Sequence, residues 1–142
     1  MSNSYTGSCF CGAVELRVRG DPIAMGYCHC QSCRSWLAAP VNAFTLWSSE
    51  AVEMTKGVDN LVTHRKTENT CRQFCRVCGG HLMATLVHLK IADVFAATIP
   101  TLPFVPQLHV FYSETVLPMR DGLPKLRDFP VEMGGSGERI PE

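Results

Sequence analysis

Three cysteines crowd one short stretch, "YCHCQSC" at residues 27–33. Two further stretches, "GSCFCGA" near the start and "QFCRVCGGHL" near the middle, each carry a close pair. Of the eight cysteines, Cys9 and Cys11 form a Cys-x-Cys pair and Cys75 and Cys78 a Cys-x-x-Cys pair. Cys28, Cys30 and Cys33 form a Cys-x-Cys-x-x-Cys triple, and Cys71 stands alone. Such short spacings do not suit an ordinary structural disulfide within the motif, and closely set thiols in a reducing compartment bind metal. A tetrahedral zinc site takes four ligands, commonly thiolate. A cysteine turn followed by glycine aims two sulfurs at one point, because glycine supplies the positive φ that the turn needs. Cys75 and Cys78 precede Gly79, and Cys11 precedes Gly12. The two pairs therefore make a closed four-thiolate site of structural character.

The triple supports different chemistry. Three protein ligands leave the fourth position of a zinc ion for water, another side chain or an exogenous thiol, which is how catalytic zinc is held. Three thiolates weaken the ion as a Lewis acid, so the expected chemistry is activation of a thiol rather than of water. Two alternatives stay open on spacing alone: Cys71 or a histidine as fourth ligand, and redox cysteines without metal. His29, between two expected ligands, points away from them into solvent or behind the ligands. His64, His81, His88 and His109 read as strand-face or hydrogen-bonded residues. Cys71 reads as a small buried hydrophobe. Arg34 is a solvated charge or a holder of a substrate carboxylate. Trp36 is core or the wall of a pocket; Phe44, Trp47, Phe74, Phe104 and Phe111 read as core.

The elements that must position these residues are short strands. "AVELRVR" at 13–19 alternates, with Val14, Leu16 and Val18 on one face. "VNAFTLW", "HLMATL" and "VFAATI" read as strands. "LVTHRKT" and "TCRQF" read as an antiparallel pair turning at Glu68 and Asn69. "QLHVFYS" alternates again, with Leu108, Val110 and Tyr112 opposite His109 and Phe111. "CRSWLAA" makes one or two helical turns before Pro40. Many short strands punctuated by Gly and Pro indicate an all-β fold with little helix. At 142 residues the expectation is one zinc-binding domain over 1–133 and a loose tail over 134–142. Net charge is zero, which argues against nucleic acid as a partner. No apolar run reaches membrane-spanning length and the start has no secretory pattern, so the expected location is the cytoplasm with no membrane partner. No nucleophile elbow, phosphate loop or H-E-x-x-H motif occurs.

The ordered series "GSCFCGAVEL … YCHCQSCR … FCRVCGGHL", with "HVFYSETVLPMRDGLPKLRDFP" after it, resembles the glutathione-dependent formaldehyde-activating enzyme family, which includes centromere protein V. The resemblance implies an all-β zinc fold of mainly antiparallel sheets with extensive irregular coil. It implies two zinc ions: a structural one on Cys9, Cys11, Cys75 and Cys78, and a catalytic one on Cys28, Cys30 and Cys33. It implies a carbon–sulfur lyase-type activity, with glutathione and formaldehyde as the small thiol and aldehyde joined in S-hydroxymethylglutathione. The family's centromere member leaves open a non-catalytic interaction module; the cysteines themselves leave open a thiol redox or metal-handling role, and a homo-oligomer is a further alternative. "AATIPTL" and "ETVLPM" depart from the family pattern, and no glutathione-binding set carries over residue by residue.

Overall fold

A computed structural model of the chain describes residues 3–142; Met1 and Ser2, which open the domain expected over 1–133, lie outside them. The chain forms two compact units, Met1–Ala24 with Thr45–Phe104, and Met25–Phe44 with Val105–Glu142. Ten strands and a single α-helix of seven residues occur among the described residues, in keeping with a mostly β chain. None of the helices there is long and apolar enough to cross a membrane.

In the first unit, β1 (Ser4–Ser8), β2 (Glu15–Arg19) and β5 (Val52–Lys56) form an antiparallel sheet in the order β1-β2-β5. The alternation in β2 behaves as its sequence requires: Val14, Leu16 and Val18 are fully buried, while Glu15 and Arg19 are exposed. The same unit holds an antiparallel run of β6 (Leu61–Arg65), β7 (Thr70–Cys75), β8 (His81–Leu86) and β9 (Ile91–Val94). Residues 46–48 of β4 (Asn42–Ser48) pair with β9. Trp47 is fully buried there, and its Nε1 donates to Thr45 Oγ1 at 2.8 Å. The β6–β7 pair is the one expected from sequence, with Arg65 opposite Cys71.

The strand expected over "VFAATI" lies earlier, at Ile91–Val94. Lys90 takes φ 53° and starts the strand sooner, while Ala96–Thr98 winds into a 3-10 turn in which Thr98 Oγ1 donates to Phe95 O. β1, β5 and the strand leading into the cysteine triple are not among the strands read from the sequence.

In the second unit, residues 26–28 of β3 (Ala24–Cys28) pair with β10 (Leu108–Val110), and the pairing is parallel rather than antiparallel. The long intervening chain makes such a pairing accessible. Gly26 permits it: a Cβ there would meet Leu108 O at 2.3 Å and the Phe44 ring at 2.9 Å. The alternation expected for "QLHVFYS" stops at Phe111, whose φ of 53° ends β10 and sends Tyr112–Glu114 into a 3-10 turn. His109, Val110 and Tyr112 are all buried as a result. α1 (Gln31–Leu37) starts at the triple itself and ends at Ala38, with φ 51°. The closing residues are hydrogen-bonded to the segment before them: Ser136 N donates to Asp128 Oδ1, Arg127 Nε to Glu138 Oε2, and Ile140 N to Lys125 O.

Candidate metal centres

Cys9 and Cys11 sit in the turn between β1 and β2, Cys75 ends β7, and Cys78 sits in the turn between β7 and β8. Each turn is closed by its own backbone, with Gly12 N donating to Cys9 O and Gly79 N to Cys75 O. Gly12 and Gly79 take φ 80° and 76°, the positive values expected beside each pair. The four sulfurs lie within 4.8 Å of one another. Cys9 Sγ is 3.7 Å from Cys11 Sγ, which is 3.9 Å from Cys75 Sγ. A tetrahedral ion with metal–sulfur bonds of about 2.3 Å sets its sulfurs about 3.8 Å apart, so the donor set fits zinc.

Backbone amides converge on the same sulfurs. Val14 N donates to Cys9 Sγ at 3.3 Å, Ala13 N to Cys11 at 3.4 Å, Val77 N to Cys75 at 3.3 Å, and Gly80 N to Cys78 at 3.3 Å. These donors favour thiolate, but the sulfurs oppose one another. The Gly80 amide leads in holding Cys78 down to about 6, against desolvation. Cys11 is pushed up to about 11: the Ala13 amide works to lower it, but desolvation and the three neighbouring sulfurs outweigh that amide. Four thiols so placed do not all ionise without a cation among them, and the cluster could hold a metal ion.

In the other unit, Cys28 ends β3, Cys30 caps α1, and Cys33 lies in the first turn of that helix. Their sulfurs also lie within 4.8 Å of one another, with Cys33 Sγ 3.7 Å from Cys28 Sγ. Cys33 N donates to Cys30 Sγ at 3.2 Å. Cys30 and Cys33 crowd Cys28, and burial adds to them, so the Cys28 thiol is pushed well above its ordinary value. This is again a donor set suited to a soft divalent ion. No fourth Cys, His, Asp or Glu joins the triple among the described residues. Cys71 belongs to neither group; it is buried in β7 and accepts from Arg65 Nε at 3.0 Å, so it has a polar partner.

His29 departs from its solvent-facing alternative. It is fully buried, with Nε2 at 2.8 Å from His109 Nδ1 and Nδ1 at 2.8 Å from Thr115 Oγ1. Both ring nitrogens are engaged, so the ring is not the fourth ligand. His109, also fully buried, reaches Asp121 Oδ2 through Nε2 at 2.7 Å. The other Asp121 oxygen accepts from Lys125 and from Leu123 N. Lys125 is only 2% exposed, a buried cation that this carboxylate and Glu142 at 3.6 Å compensate. Burial lowers His29 to about 4, and the nearby His109, Lys125 and Arg34 add to the effect. Burial works to raise Asp121, but the bonds from Lys125, His109 and Leu123 N more than offset it and hold the carboxyl far below its usual range.

Arg34 is half-buried and bonded to two backbone carbonyls of its own chain. Its Nε donates to His29 O at 3.0 Å and its guanidinium Nη2 to Glu114 O at 3.0 Å. Glu114 Oε1 accepts from Gln31 N at 3.0 Å. Trp36 is half-buried on α1, whereas Phe44 and Trp47 are buried as expected. Phe74, Phe104 and Phe111 are only half-buried.

An uncharacterized lyase of Schizosaccharomyces pombe is 31% identical over 75 residues, which is 53% of this chain and 53% of that protein. The match thus spans about half the length of this curated relative. A crystal structure of a Rhodobacter sphaeroides protein shares the fold, with a TM-score of 0.58 and 21% identity over 69% of this chain and 90% of that one. The family model for the glutathione-dependent formaldehyde-activating enzyme matches residues 4–114, most of the chain and both cysteine clusters, and the chain belongs to that family.

Proposed function

We propose that the chain is a zinc-dependent enzyme of carbon–sulfur lyase type that joins or splits a small thiol and a small aldehyde. The observation that carries this reading is the contrast between the two clusters. One gathers four sulfurs, and the other gathers three with no fourth Cys, His, Asp or Glu among the described residues. Cys9, Cys11, Cys75 and Cys78 would hold a structural ion, and Cys28, Cys30 and Cys33 a catalytic one. The lyase name of the yeast relative points the same way.

Zinc on the triple would supply acidification of an incoming thiol and a fixed place for its sulfur. The reaction is an addition. The thiol sulfur forms a bond to the aldehyde carbon, the carbonyl π pair passes to oxygen, and the proton lost by the thiol is balanced by one taken up at that oxygen. The reverse breaks the carbon–sulfur bond and returns thiol and aldehyde. Cys30 Sγ and the Cys33 amide fix the start of α1, and Arg34 ties this loop to the carbonyl of Glu114. Family membership makes glutathione and formaldehyde the first substrates to try. The test follows S-hydroxymethylglutathione formation with zinc-loaded protein, against buffer and against Cys30→Ala. Faster formation only with the intact triple supports the reading. Absence of acceleration with glutathione, cysteine or coenzyme A removes it.

A further inference from the structure

His29 lies between two of the three sulfur donors, Cys28 and Cys30, and is held at four of its own polar atoms. Its N donates to Val110 O at 3.1 Å and its O accepts from Arg34 Nε at 3.0 Å. Its ring nitrogens meet Thr115 Oγ1 and His109 Nδ1, each at 2.8 Å. Alternation along extended backbone sends the ring to the opposite side from the neighbouring sulfurs.

With both rings neutral, the directions of the bonds in this line follow from its carboxylate end. Asp121 Oδ2 belongs to a carboxylate and can only accept, so His109 Nε2 carries a proton. In a neutral His109 ring, Nδ1 is then an acceptor, and His29 Nε2 donates to it. His29 Nδ1 accepts in turn, and Thr115 Oγ1–H donates to it. Thr115 Oγ1 is itself fed by Leu117 N at 3.1 Å. Lys125 and Leu123 N hold the other Asp121 oxygen. With both rings neutral, no bond of the line reverses without setting donor against donor or acceptor against acceptor. Stacking fixes the ring planes as well. The His109 ring centroid lies 4.9 Å from that of Tyr27 and 5.1 Å from that of His29, and Tyr112 meets His29 edge-on at 4.9 Å.

We infer that His29 is the positioning residue of the three-sulfur site, and that the line Thr115–His29–His109–Asp121 holds Cys28 and Cys30 in place to receive a metal ion. This rests on the reading above, that the triple takes an ion. The physical need is clear: three sulfurs that repel one another when ionised must be held together before the ion arrives. Groups behind metal ligands typically change metal affinity on the order of ten- to a hundredfold when removed. At the four-sulfur site, backbone turns and amides meet the sulfurs.

Thr115 is the place to test it, because it is only half-buried and valine has its shape. Thr115→Val removes the hydroxyl, and Thr115→Ser keeps it. Zinc-loaded wild type and both variants are titrated with a chromophoric chelator, with the four-sulfur site as internal reference. Cobalt(II) replacement reports geometry through its d–d bands. Nitrogen-15 shifts of the two rings report their protonated nitrogens. The expected result is two ions per wild-type chain and Nε2–H on both rings. Thr115→Val should release the more labile ion on the order of tenfold or more readily, change its cobalt bands and shift His29 Nδ1, with the tighter ion unaffected. Thr115→Ser should restore all three readouts. Two ions held with wild-type affinity in Thr115→Val overturns the inference alone. So does an Nδ1–H ring, equal weakening of both ions, or failure of serine to rescue. One ion per wild-type chain removes the catalytic reading itself, and the inference with it.

Discussion

His29 and His109 are 80 residues apart in the chain and meet through a 2.8 Å bond between fully buried rings. His29 is flanked by two sulfur donors, whereas His109 ends on a carboxylate paired with a buried lysine. The loop that carries Cys28 and Cys30 is thereby connected to charges that no local spacing would associate with it.

Removing a sulfur from each cluster should have unequal effects. Cys78→Ala should unfold much of its unit, because structural zinc binding contributes folding free energy on the order of ten kcal/mol in small zinc modules. Cys30→Ala should lose adduct formation while costing about 1 kcal/mol for the helix cap that its sulfur provides. Zinc content, circular dichroism and thermal unfolding of both variants check this. Equal collapse of both would contradict the division of labour.

Arg34→Ala should weaken glutathione and an uncharged thiol such as 2-mercaptoethanol to the same degree. Its two mapped bonds go to the His29 and Glu114 carbonyls, not to a substrate. A stability loss of about 1–3 kcal/mol should accompany it. A rise in KM for glutathione alone would instead assign Arg34 to the substrate carboxylate.

Acid should destabilise the histidine unit in two stages. His29 resists protonation down to about 4, because burial disfavours its charged form. The unfolded chain takes up that proton near pH 6.5, about the ordinary value. Unfolding therefore consumes a proton between these values, and stability falls as pH falls through that window. Asp121, held low, contributes stability that is present above about 3.8 and is lost as pH falls below it. The destabilisation of Asp121→Asn relative to wild type should be largest at neutral pH and shrink below pH 4. Urea midpoints of the two proteins across this range decide it, and a gap that widens on acidification would refute it.

Gly26→Ala should open the β3–β10 pairing. Its Cβ would stand 2.3 Å from Leu108 O, and backbone cannot yield as a flexible side chain can. A loss of at least about 1–3 kcal/mol follows from overpacking alone. Urea unfolding measures this, and hydrogen exchange should show the amides around residues 26–28 and 108–110 losing protection first. An unchanged urea midpoint would mean that the strands separate without cost.

The local parts of the site were readable in the chain before any fold. Cys-x-Cys-Gly and Cys-x-x-Cys-Gly specify their own turns, because the glycine φ and the amide–sulfur bonds are set within a few residues. The β2 face and the β6–β7 hairpin were readable for the same reason: period-two burial and a short turn are local properties. The parallel β3–β10 pair was not, since it joins segments about eighty residues apart and one positive φ at Phe111 cancels the apparent alternation. Arg34, read alone as a solvated charge or a carboxylate holder, gains its bond to the Glu114 carbonyl only once that residue is folded beside it.

From the amino-acid sequence by itself came which cysteines group by spacing, which glycines turn them and a mostly β chain, all consequences of short-range backbone geometry. Only the tertiary structure decided that the four sulfurs of two distant turns converge, that Cys71 stays apart, and that His29, Thr115, His109, Asp121 and Lys125 form one hydrogen-bonded line, buried at the two histidines and the lysine. A buried polar side chain must find a partner somewhere, but its own neighbours in sequence do not say where, because that choice is made when separate strands bring their donors and acceptors together away from water.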